Sequence, residues 1–505
     1  MTGAGTRVEP DGPSWTRVTR SVESAHLATE FARLTGAGFR LALVAGHDDD
    51  DGLRVVYALV ATDPDRRIEL EVRLDRGQPT LPSLAALSFP ASRFEREVAD
   101  LFGVELSGHP SPKRLVLHQH WPRRYHPMRR DTEPIATLDE TGEPFPFLTV
   151  EGPGIYEIPV GPVHAGLIEP GHFRFSVVGE TIVAMKARLW FVHKGIERLF
   201  EGRDPEDGVP LAERISGDAA VGHTIAYCLA VEEALGIGVP PATQALRGLL
   251  LELERLYNHV ADLGALCNDV GYGVLHAHFA TLRERLLRTN RRVTRHRLLR
   301  GAITPGRVAV ASVPRRHELD AIGDEVQELV ALAMANSILV DRFTGTSVLA
   351  RQAAVDMGAL GYVARASGVD VDARRDHPFC PRGDALTIPT QTGGDVMARF
   401  QQRVQEIGVS LALLRDLLER LEGTCGEATT VGPVRRSGLG IVEGWRGAIA
   451  HRVEVGDDGH LSRVKIVDPS FFNWPALPVA LSDTIVPDFP VTNKSFNLSY
   501  AGNDL

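Results

Sequence analysis

The stretch ERISGDAAVGHTIAYCLAVEEAL, from Glu213 to Leu235, decides how this 505-residue chain is interpreted. It begins as a glycine-containing turn and continues with helical periodicity. Ile225, Cys228, Leu229 and Leu235 recur at the spacing of one helix face, which predicts an apolar stripe on a long helix. The stretch is therefore a polar turn that leads directly into a helix.

Length and composition set the broad class of the protein. A chain of this length suggests roughly two to four domains, and 43% hydrophobic with 24% charged residues is ordinary for a soluble globular protein. The formal net charge of -10 argues against general nucleic-acid binding. We find no apolar run of membrane-spanning length, and the N-terminus lacks the apolar core of a signal peptide.

The cysteines indicate a reducing compartment. They are widely spaced and form no CxxC pair, which excludes a compact cysteine-only metal motif and fits a cytoplasmic protein. Buried free thiols are the simplest interpretation for all four. They are Cys228, Cys267, Cys380 and Cys425.

Composition shifts divide the chain into four segments and predict an α+β fold. Residues 1–13 form a flexible tail, and residues 14–109 form a small α+β domain. Residues 110–155 are a basic, proline-rich extended connector. Residues 156–505 form a mainly α-helical domain with small peripheral β-sheets. The predicted elements include helices at 23–34, 249–270, 278–298, 318–337 and 396–422, strands at 39–45, 53–60 and 68–74, and a hairpin of 173–178 with 181–185.

A run at the end of the first domain carries a specific resemblance. Residues 94–104, FEREVADLFGV, are followed by Gly-His-Pro at 108–110 and by Pro-Met-Arg-Arg-Asp at 127–131. This order resembles the 30-kDa-type peripheral subunit of respiratory complex I and its counterpart in membrane-bound group 4 hydrogenases. A purely local alternative is that Glu95, Arg96 and Glu97 form the solvated face of a short helix.

The opening turn resembles the first signature of the [NiFe]-hydrogenase large subunit, Arg-x-Cys-Gly-x-Cys. Arg214 and Gly217 match, but Ser216 and Ala219 occupy the cysteine positions. The second signature, Asp-Pro-Cys-x-x-Cys, aligns with residues 468–473, where Ser470 and Asn473 replace the cysteines. The resemblance to this subunit and to the 49-kDa-type subunit of complex I implies a fusion of two subunits, covering about residues 15–505.

The replacement of all four signature cysteines decides which cofactors we expect. Nickel and iron in this family need soft, anionic thiolates, which serine, alanine and asparagine do not supply. We therefore predict no Ni–Fe site, no metal ligand and no cofactor bound by this chain, with quinone as a candidate ligand. The chain has no dinucleotide fingerprint and no P-loop, so NAD binding, implied by the family alone, falls to another subunit. The resemblance places an iron–sulfur cluster in a partner subunit.

The resemblance also assigns residues around the cavity between the signatures. His172 occupies the position of the quinone-binding histidine of complex I, whereas Gly217 occupies the position of its tyrosine. His172 as a satisfied structural histidine is the alternative. Arg214 and Arg446 match arginines that face the cavity, with paired structural cations as the alternative. Ser216 and Ser470 would line the same cavity.

Further ionisable residues are candidates for proton transfer. Asp218 and His223 flank the altered signature, although Asp218 could equally cap the helix that follows. Asp269 matches an aspartate near the quinone histidine of complex I, with a polar helix end as its alternative. Glu169 stands beside Pro170, which occupies the proton-relay glutamate position of hydrogenases.

Three functions fit these residues. The first is a subunit of a membrane-bound, complex-I-like oxidoreductase that takes electrons from a partner iron–sulfur subunit toward quinone or another acceptor, coupled to ion translocation. The second is a non-redox scaffold or conformational coupler, and the third is a hydrogenase or formate hydrogenlyase large subunit. The resemblance implies as partners a small iron–sulfur subunit, a ferredoxin-like subunit and antiporter-type membrane subunits. It also implies a peripheral position at the cytoplasmic face of the membrane.

Overall fold

The computed structural model describes most of the chain. The described residues are 15–133, 135, 145–166, 168–380, 386–421, 429–430 and 432–505. The predicted tail 1–13, residues 134 and 136–144 of the predicted connector, and Cys425 lie outside them. Within the described part, every helix is too short or too polar to cross a bilayer.

A four-stranded sheet forms the N-terminal part of the protein. Its strands are β1 (Thr16–Ser21), β2 (Arg40–Asp49), β3 (Gly52–Ala61) and β4 (Arg66–Leu74). They lie in the order β1-β4-β3-β2, with β1 parallel to β4 and the other pairs antiparallel. Helix α1 (Leu27–Gly36) follows a 3-10 turn at Ser24–His26. These elements confirm the predicted helix and three predicted strands, whereas the mostly exposed β1 has no counterpart in the prediction.

Helix α2 (Phe89–Phe102) lies between the short strands β5 (Thr80–Pro82) and β6 (Glu105–Ser107) and carries the acidic motif. The interpretation of this motif as a solvated face is wrong, because Glu95 is fully buried and accepts hydrogen bonds from Ser83 Oγ and Leu84 N at 2.6 and 2.7 Å. Asp100 Oδ2 accepts from three consecutive backbone N–H groups, at residues 115–117. The motif therefore holds the described part of the connector against α2.

The large domain is mainly helical. Its helices are α3 (Ile196–Phe200), α4 (Val209–Ala212), α5 (Ala220–Leu235), α6 (Pro241–Asp269), α7 (Gly273–Thr294), α8 (Arg316–Met334), α9 (Ser337–Phe343), α10 (Arg351–Asp356), α11 (Gly361–Ala366), α12 (Ala373–Asp376), α13 (Val396–Arg420), α14 (Pro469–Asn473), α15 (Ala476–Ala480), α16 (Phe489–Phe496) and α17 (Tyr500–Asp504). The four predicted long helices correspond to α6, α7, α8 and α13. Helix α6 begins at Pro241 rather than at the predicted residue 249, since proline fits the first helical turn.

Small sheets accompany these helices, which confirms the predicted α+β class. The strands are β7 (Ile155–Val160), β8 (His172–Val178), β9 (Thr181–Arg188), β10 (Ile237–Gly238), β11 (Ile303–Thr304), β12 (Arg307–Val308), β13 (Thr429–Thr430), β14 (Ser437–Gly444), β15 (Gly447–Val455) and β16 (Leu461–Val467). The predicted hairpin is β8 with β9. Strands β14, β15 and β16 form an antiparallel sheet in chain order.

Helix α5, the centre of the opening stretch, is buried on nearly all sides rather than along one stripe. Strand β14 lies directly on it, because two glycines of that strand face the helix backbone. A Cβ on Gly438 or Gly440 would come 1.9 Å from the carbonyl oxygen of Ala230 or Ala226. Only glycine permits this approach, so α5 is a central helix of the core.

Buried charged side chains join the N-terminal region to the β14–β16 sheet. Arg452 Nε on β15 donates to Glu69 on β4 at 3.0 Å, and Lys465 Nζ on β16 donates to Glu97 on α2 at 2.5 Å. Arg463 donates to the Gly46 carbonyl oxygen on β2. The two regions therefore pack as one unit through charged side chains that no local sequence pattern pairs.

Candidate functional site

The first signature forms a partly exposed turn at the beginning of α5. The helix begins at Ala220, and its N-cap residue is Ala219, which offers no side-chain acceptor. The alternative in which Asp218 caps the helix is therefore wrong. Glu254 on α6 takes that role, because its carboxyl oxygens accept from Val221 N and Gly222 N at 2.7 and 3.0 Å. Burial raises the pKa of Glu254 to about 8.

Asp218 and Arg446 form a bidentate ion pair between the two signatures. The guanidinium Nη1 and Nη2 atoms donate to the two carboxylate oxygens at 2.7 and 2.6 Å. The Asp218 side chain is 39% exposed, whereas that of Arg446 is 5% exposed and stacks over Trp445. Burial opposes ionisation of Asp218, but Arg446 outweighs it and lowers the pKa of the carboxyl group. Asp218 is therefore an anion that reaches the surface.

Three hydroxyl groups connect the signature segments. Ser216 Oγ donates to Asp218 Oδ1 at 2.9 Å and lies 2.8 Å from Ser499 Oγ. Ser499 N in turn donates to Ser470 Oγ at 3.0 Å. The structure thus brings Ser216 and Ser470 into one site, as the resemblance implies. Ser499, which bridges them, has no signal in the sequence analysis because it lies outside both signatures.

His223 belongs to a fully buried chain of polar side chains behind this site. Its Nε2 lies 3.1 Å from Asp468 Oδ2, and its Nδ1 lies 3.0 Å from His451 Nε2. Burial and the neighbouring His223 hold the pKa of His451 well below its usual value. Burial opposes ionisation of Asp468, but its hydrogen bonds and the neighbouring His223 and Arg446 together lower its pKa. His451 and Asp468 are functional candidates that the residue-by-residue predictions did not include.

The four former cysteine positions do not fit a Ni–Fe centre. Ala219 has no donor atom, and the two serine hydroxyls are used within the protein. Asn473 is engaged at both ends of its amide, since Leu360 N donates to Oδ1 at 2.8 Å and Nδ2 donates to Leu360 O at 3.1 Å. Neutral oxygen, nitrogen and methyl groups do not replace four thiolates around soft metals. The absence of the centre itself stays a prediction.

Glu169 lies beside the C-terminal segment that contains Ser499, and His172 lies three residues further along the chain. Glu169 Oε2 accepts from Ala501 N at 2.8 Å, at the beginning of α17. His172 is the first residue of β8, with Nδ1 3.2 Å from Gly161 O and Nε2 accepting from Arg174 Nε at 3.2 Å. Both ring nitrogens are therefore engaged, and a quinone would have to displace Arg174 to receive a hydrogen bond from Nε2.

Asp269 and Arg214 are placed apart from the Asp218–Arg446 pair. Asp269 is the last residue of α6, and burial raises its pKa against the opposing charges of Lys494 and His276. The Arg214 side chain is 56% exposed and donates to Pro210 O at 2.7 Å. Its position in the family motif does not bring it into contact with the other predicted residues. Lys194, which donates to Ile215 O, contacts the turn instead.

Three protein-family models match successive segments of the chain. Residues 19–137 match the 30 Kd subunit of respiratory-chain NADH dehydrogenase, and residues 269–437 match its 49 Kd subunit. Residues 194–267, which contain the first signature, match the nickel-dependent hydrogenases. The order of these matches is that of two subunits fused in one chain.

Curated relatives match over most of the chain. Formate hydrogenlyase subunit 5 of Escherichia coli K12 is 32% identical over 92% of this chain and 84% of its own length. Hydrogenase-4 component G of the same organism is 33% identical over 86% and 78%. The C/D subunit of the NADH-quinone oxidoreductase of Phocaeicola vulgatus is 29% identical over 82% and 85%.

A solved structure supports the fold. A chain of the membrane-bound sulfane sulfur reductase, an archaeal respiratory membrane complex, superposes with a TM-score of 0.64 at 24% identity. The match covers 70% of this chain and 99% of that one. At this identity the similarity shows a shared fold and nothing about the reaction.

Proposed function

Since this chain belongs to the family that unites the 30-kDa-type and 49-kDa-type subunits of respiratory complex I with the large subunits of group 4 hydrogenases, we propose that it is the large subunit of a membrane-bound, complex-I-like oxidoreductase. It receives electrons from an iron–sulfur cluster in a partner subunit and passes them toward quinone or another acceptor, without a Ni–Fe centre. Electron transfer is coupled to ion translocation.

The convergence of the two signature segments supports this function. Ser216 and Ser470, far apart in the chain, are joined through Ser499 beside the half-exposed Asp218–Arg446 pair. The buried His223–Asp468 pair lies directly behind them. Ionisable groups clustered beside a site that reaches the surface suit coupled proton and electron movement.

The relatives indicate the kind of multi-subunit complex in which we place this chain. The named relatives are components of hydrogenase, formate hydrogenlyase and NADH-quinone oxidoreductase systems. We infer a small iron–sulfur subunit, a ferredoxin-like subunit and antiporter-type membrane subunits as partners of this chain. It would lie peripherally at the cytoplasmic face of the membrane, and NADH, where it is the electron source, would bind to another subunit.

A non-redox coupling subunit is the second candidate function. One observation favours it: the side-chain groups of Ser216, Ser470 and Asn473 all form hydrogen bonds within the protein. His172 is engaged in the same way. A site whose polar side chains are all hydrogen-bonded within the protein can transmit a conformational change between partner subunits without binding an electron acceptor.

Replacing His172 by glutamine in the intact complex separates the two functions. If His172 binds the acceptor, quinone-linked electron flow falls by about 100-fold, because a hydrogen bond to the developing negative charge is lost. The matched control is His26→Gln, at an exposed histidine of the N-terminal domain, and it leaves the flow unchanged. Normal flow in an assembled His172→Gln complex, and likewise in Asp269→Asn, would support the coupling subunit instead.

A further inference from the structure

The second half of helix α7 and the loop after it carry a dense positive charge. Between residues 283 and 300, eight arginines accompany one acidic residue, Glu284. The chain as a whole has a formal net charge of -10, so this concentration is local. Arg288, Arg291 and Arg292 are three or four residues apart, a spacing that places them on one face of the helix. Arg295 follows as the C-cap residue.

Ion pairs bring further arginines to this face. Glu284 pairs with Arg288 at 2.9 Å and with Arg297 at 2.6 Å, so the loop after α7 folds back along the helix. Glu318 on α8 pairs with Arg292 and lies 3.9 Å from Arg315. We call the resulting surface the α7 basic face, and its arginines are Arg288, Arg291, Arg292, Arg295, Arg297 and Arg315. These six cations outnumber the two glutamates that lie among them.

The arginines of the α7 basic face are exposed to solvent. The side chains of Arg288 and Arg315 are 76% and 69% exposed. Arg291 and Arg295 are also exposed, and neither forms an ion pair within the described part of the chain. The positive charge is therefore only partly neutralised, and it creates a local potential that attracts anions although the rest of the protein is acidic.

The α7 basic face borders the signature turn. Gly301 N, at the end of the loop, donates to Glu213 Oε1, and Glu213 immediately precedes Arg214 of the first signature. Partial burial and the charges of Arg300 and Arg214 lower the pKa of His296, which places the loop beside this turn. Quinones are dissolved in the bilayer, so a site that passes electrons to one must open close to the membrane surface.

We propose that the α7 basic face binds the headgroups of anionic phospholipids and holds the signature turn against the membrane. Guanidinium groups suit this role because they stay charged and pair bidentately with phosphate oxygens. Each arginine near an anionic bilayer strengthens binding by about fivefold. The rest of the chain is acidic and is repelled by the same bilayer, so this face also orients the protein. The inference rests on the proposed function, since it names the surface that brings the site to an acceptor in the bilayer.

The test measures vesicle binding by the purified full chain, so that it does not depend on electron flow. Co-sedimentation is followed with phosphatidylcholine vesicles that contain about 30% phosphatidylglycerol, which gives them a negative surface potential. Vesicles of phosphatidylcholine alone are the neutral comparison. We expect saturable binding to the anionic vesicles, binding at least about tenfold weaker to the neutral ones, and loss of binding at high salt because ions screen the attraction.

The double variant Arg291→Gln/Arg295→Gln should bind the anionic vesicles about 25-fold more weakly, since two arginines are removed. Neither arginine forms an ion pair in the described residues, so the fold should be unaffected. The matched control is Arg66→Gln/Arg351→Gln, which removes the same charge from exposed positions on β4 and α10. It should bind like the wild type.

Equal weakening in the two double variants would overturn the proposal, because binding would then follow total charge rather than this face. A wild-type chain that does not bind the anionic vesicles would also overturn it. If Arg291→Gln/Arg295→Gln then failed to assemble with the iron–sulfur subunit, an acidic surface of that subunit would occupy the face instead of lipid. The proposed function is judged separately, because quinone-linked flow in the His172→Gln complex does not depend on the vesicle result.

Discussion

Replacing Arg365 by methionine leaves little folded protein. Arg365 on α11 is fully buried and binds three carboxylates that come from different parts of the chain. Its Nε donates to Glu406 on α13 at 2.9 Å, and its Nη1 donates to Glu443 on β14 at 2.8 Å. Nη1 also lies 3.2 Å from Asp372. The guanidinium therefore links α11 to α13, to β14 and to the N-cap residue of α12.

The expected loss follows from the cost of unpaired buried charge. Removing one partner of a buried ion pair costs about 3–5 kcal/mol, and here several carboxylates lose a partner together. Native proteins are stable by only about 5–15 kcal/mol. We expect Arg365→Met to reduce the yield of soluble chain severely and to lower the urea midpoint of whatever remains.

The control for Arg365 is Arg285→Met. Arg285 pairs with Glu325, and both side chains are more than a third exposed, so this change should alter stability by no more than about 1 kcal/mol. Arg365→Lys, which keeps the charge, should recover part of the yield. Wild-type yield and midpoint in Arg365→Met would show that the buried cluster does not stabilise the fold as described.

Under the proposed function, we expect Arg446→Gln to reduce electron flow through the assembled complex by about 100-fold or more, as when a positioned charge is removed from a reacting site. The change removes both guanidinium donors from Asp218 and the bond from Arg446 Nε to Asn497 O. Asp218 is half-exposed, so water replaces the lost partner and the fold survives. The effect should therefore appear in activity rather than in the yield of assembled complex.

The pH dependence of Arg446→Gln follows from the ion pair. Arg446 holds the pKa of Asp218 below its usual value, so its removal raises that pKa. Residual activity that needs the Asp218 anion should then be lost at a higher pH on the acidic side than in the wild type. Electron flow measured across pH in the intact complex tests this shift, and Arg446→Lys should restore part of the rate.

Arg214→Gln is the matched control, because both arginines are assigned to the cavity by resemblance but only Arg446 contacts Asp218. We expect Arg214→Gln to retain nearly full electron flow. Equal losses in the two variants, or full activity in Arg446→Gln, would contradict the site as built from this structure.

Local patterns predict the helices and strands well, since they depend on periodicity within a few residues. The strands at 39–45, 53–60 and 68–74 and the four long helices are examples. The family motif also predicts that Ser216 and Ser470 meet. These are properties of short segments or of matched motifs, and both can be read from the sequence.

Long-range charge pairing could not be predicted. Glu95 and Glu97 look like surface residues on a helix. Only the fold shows that both are buried, with Ser83 bound to the first and Lys465 to the second. Helix capping failed for the same reason, because the acceptor at the beginning of α5 is Glu254 from another helix rather than the adjacent Asp218. The exposure of Arg214 likewise depends on the direction in which the turn points its side chain. A match to a sequence motif does not specify that direction.

Metal analysis of the purified, intact complex shows whether a Ni–Fe centre lies between the two signature segments. We expect a nickel content far below one atom per chain, with iron present only as iron–sulfur clusters of partner subunits, because Ser216, Ala219, Ser470 and Asn473 supply no thiolate. One nickel atom per chain, located between the two signature segments by anomalous scattering, would contradict it.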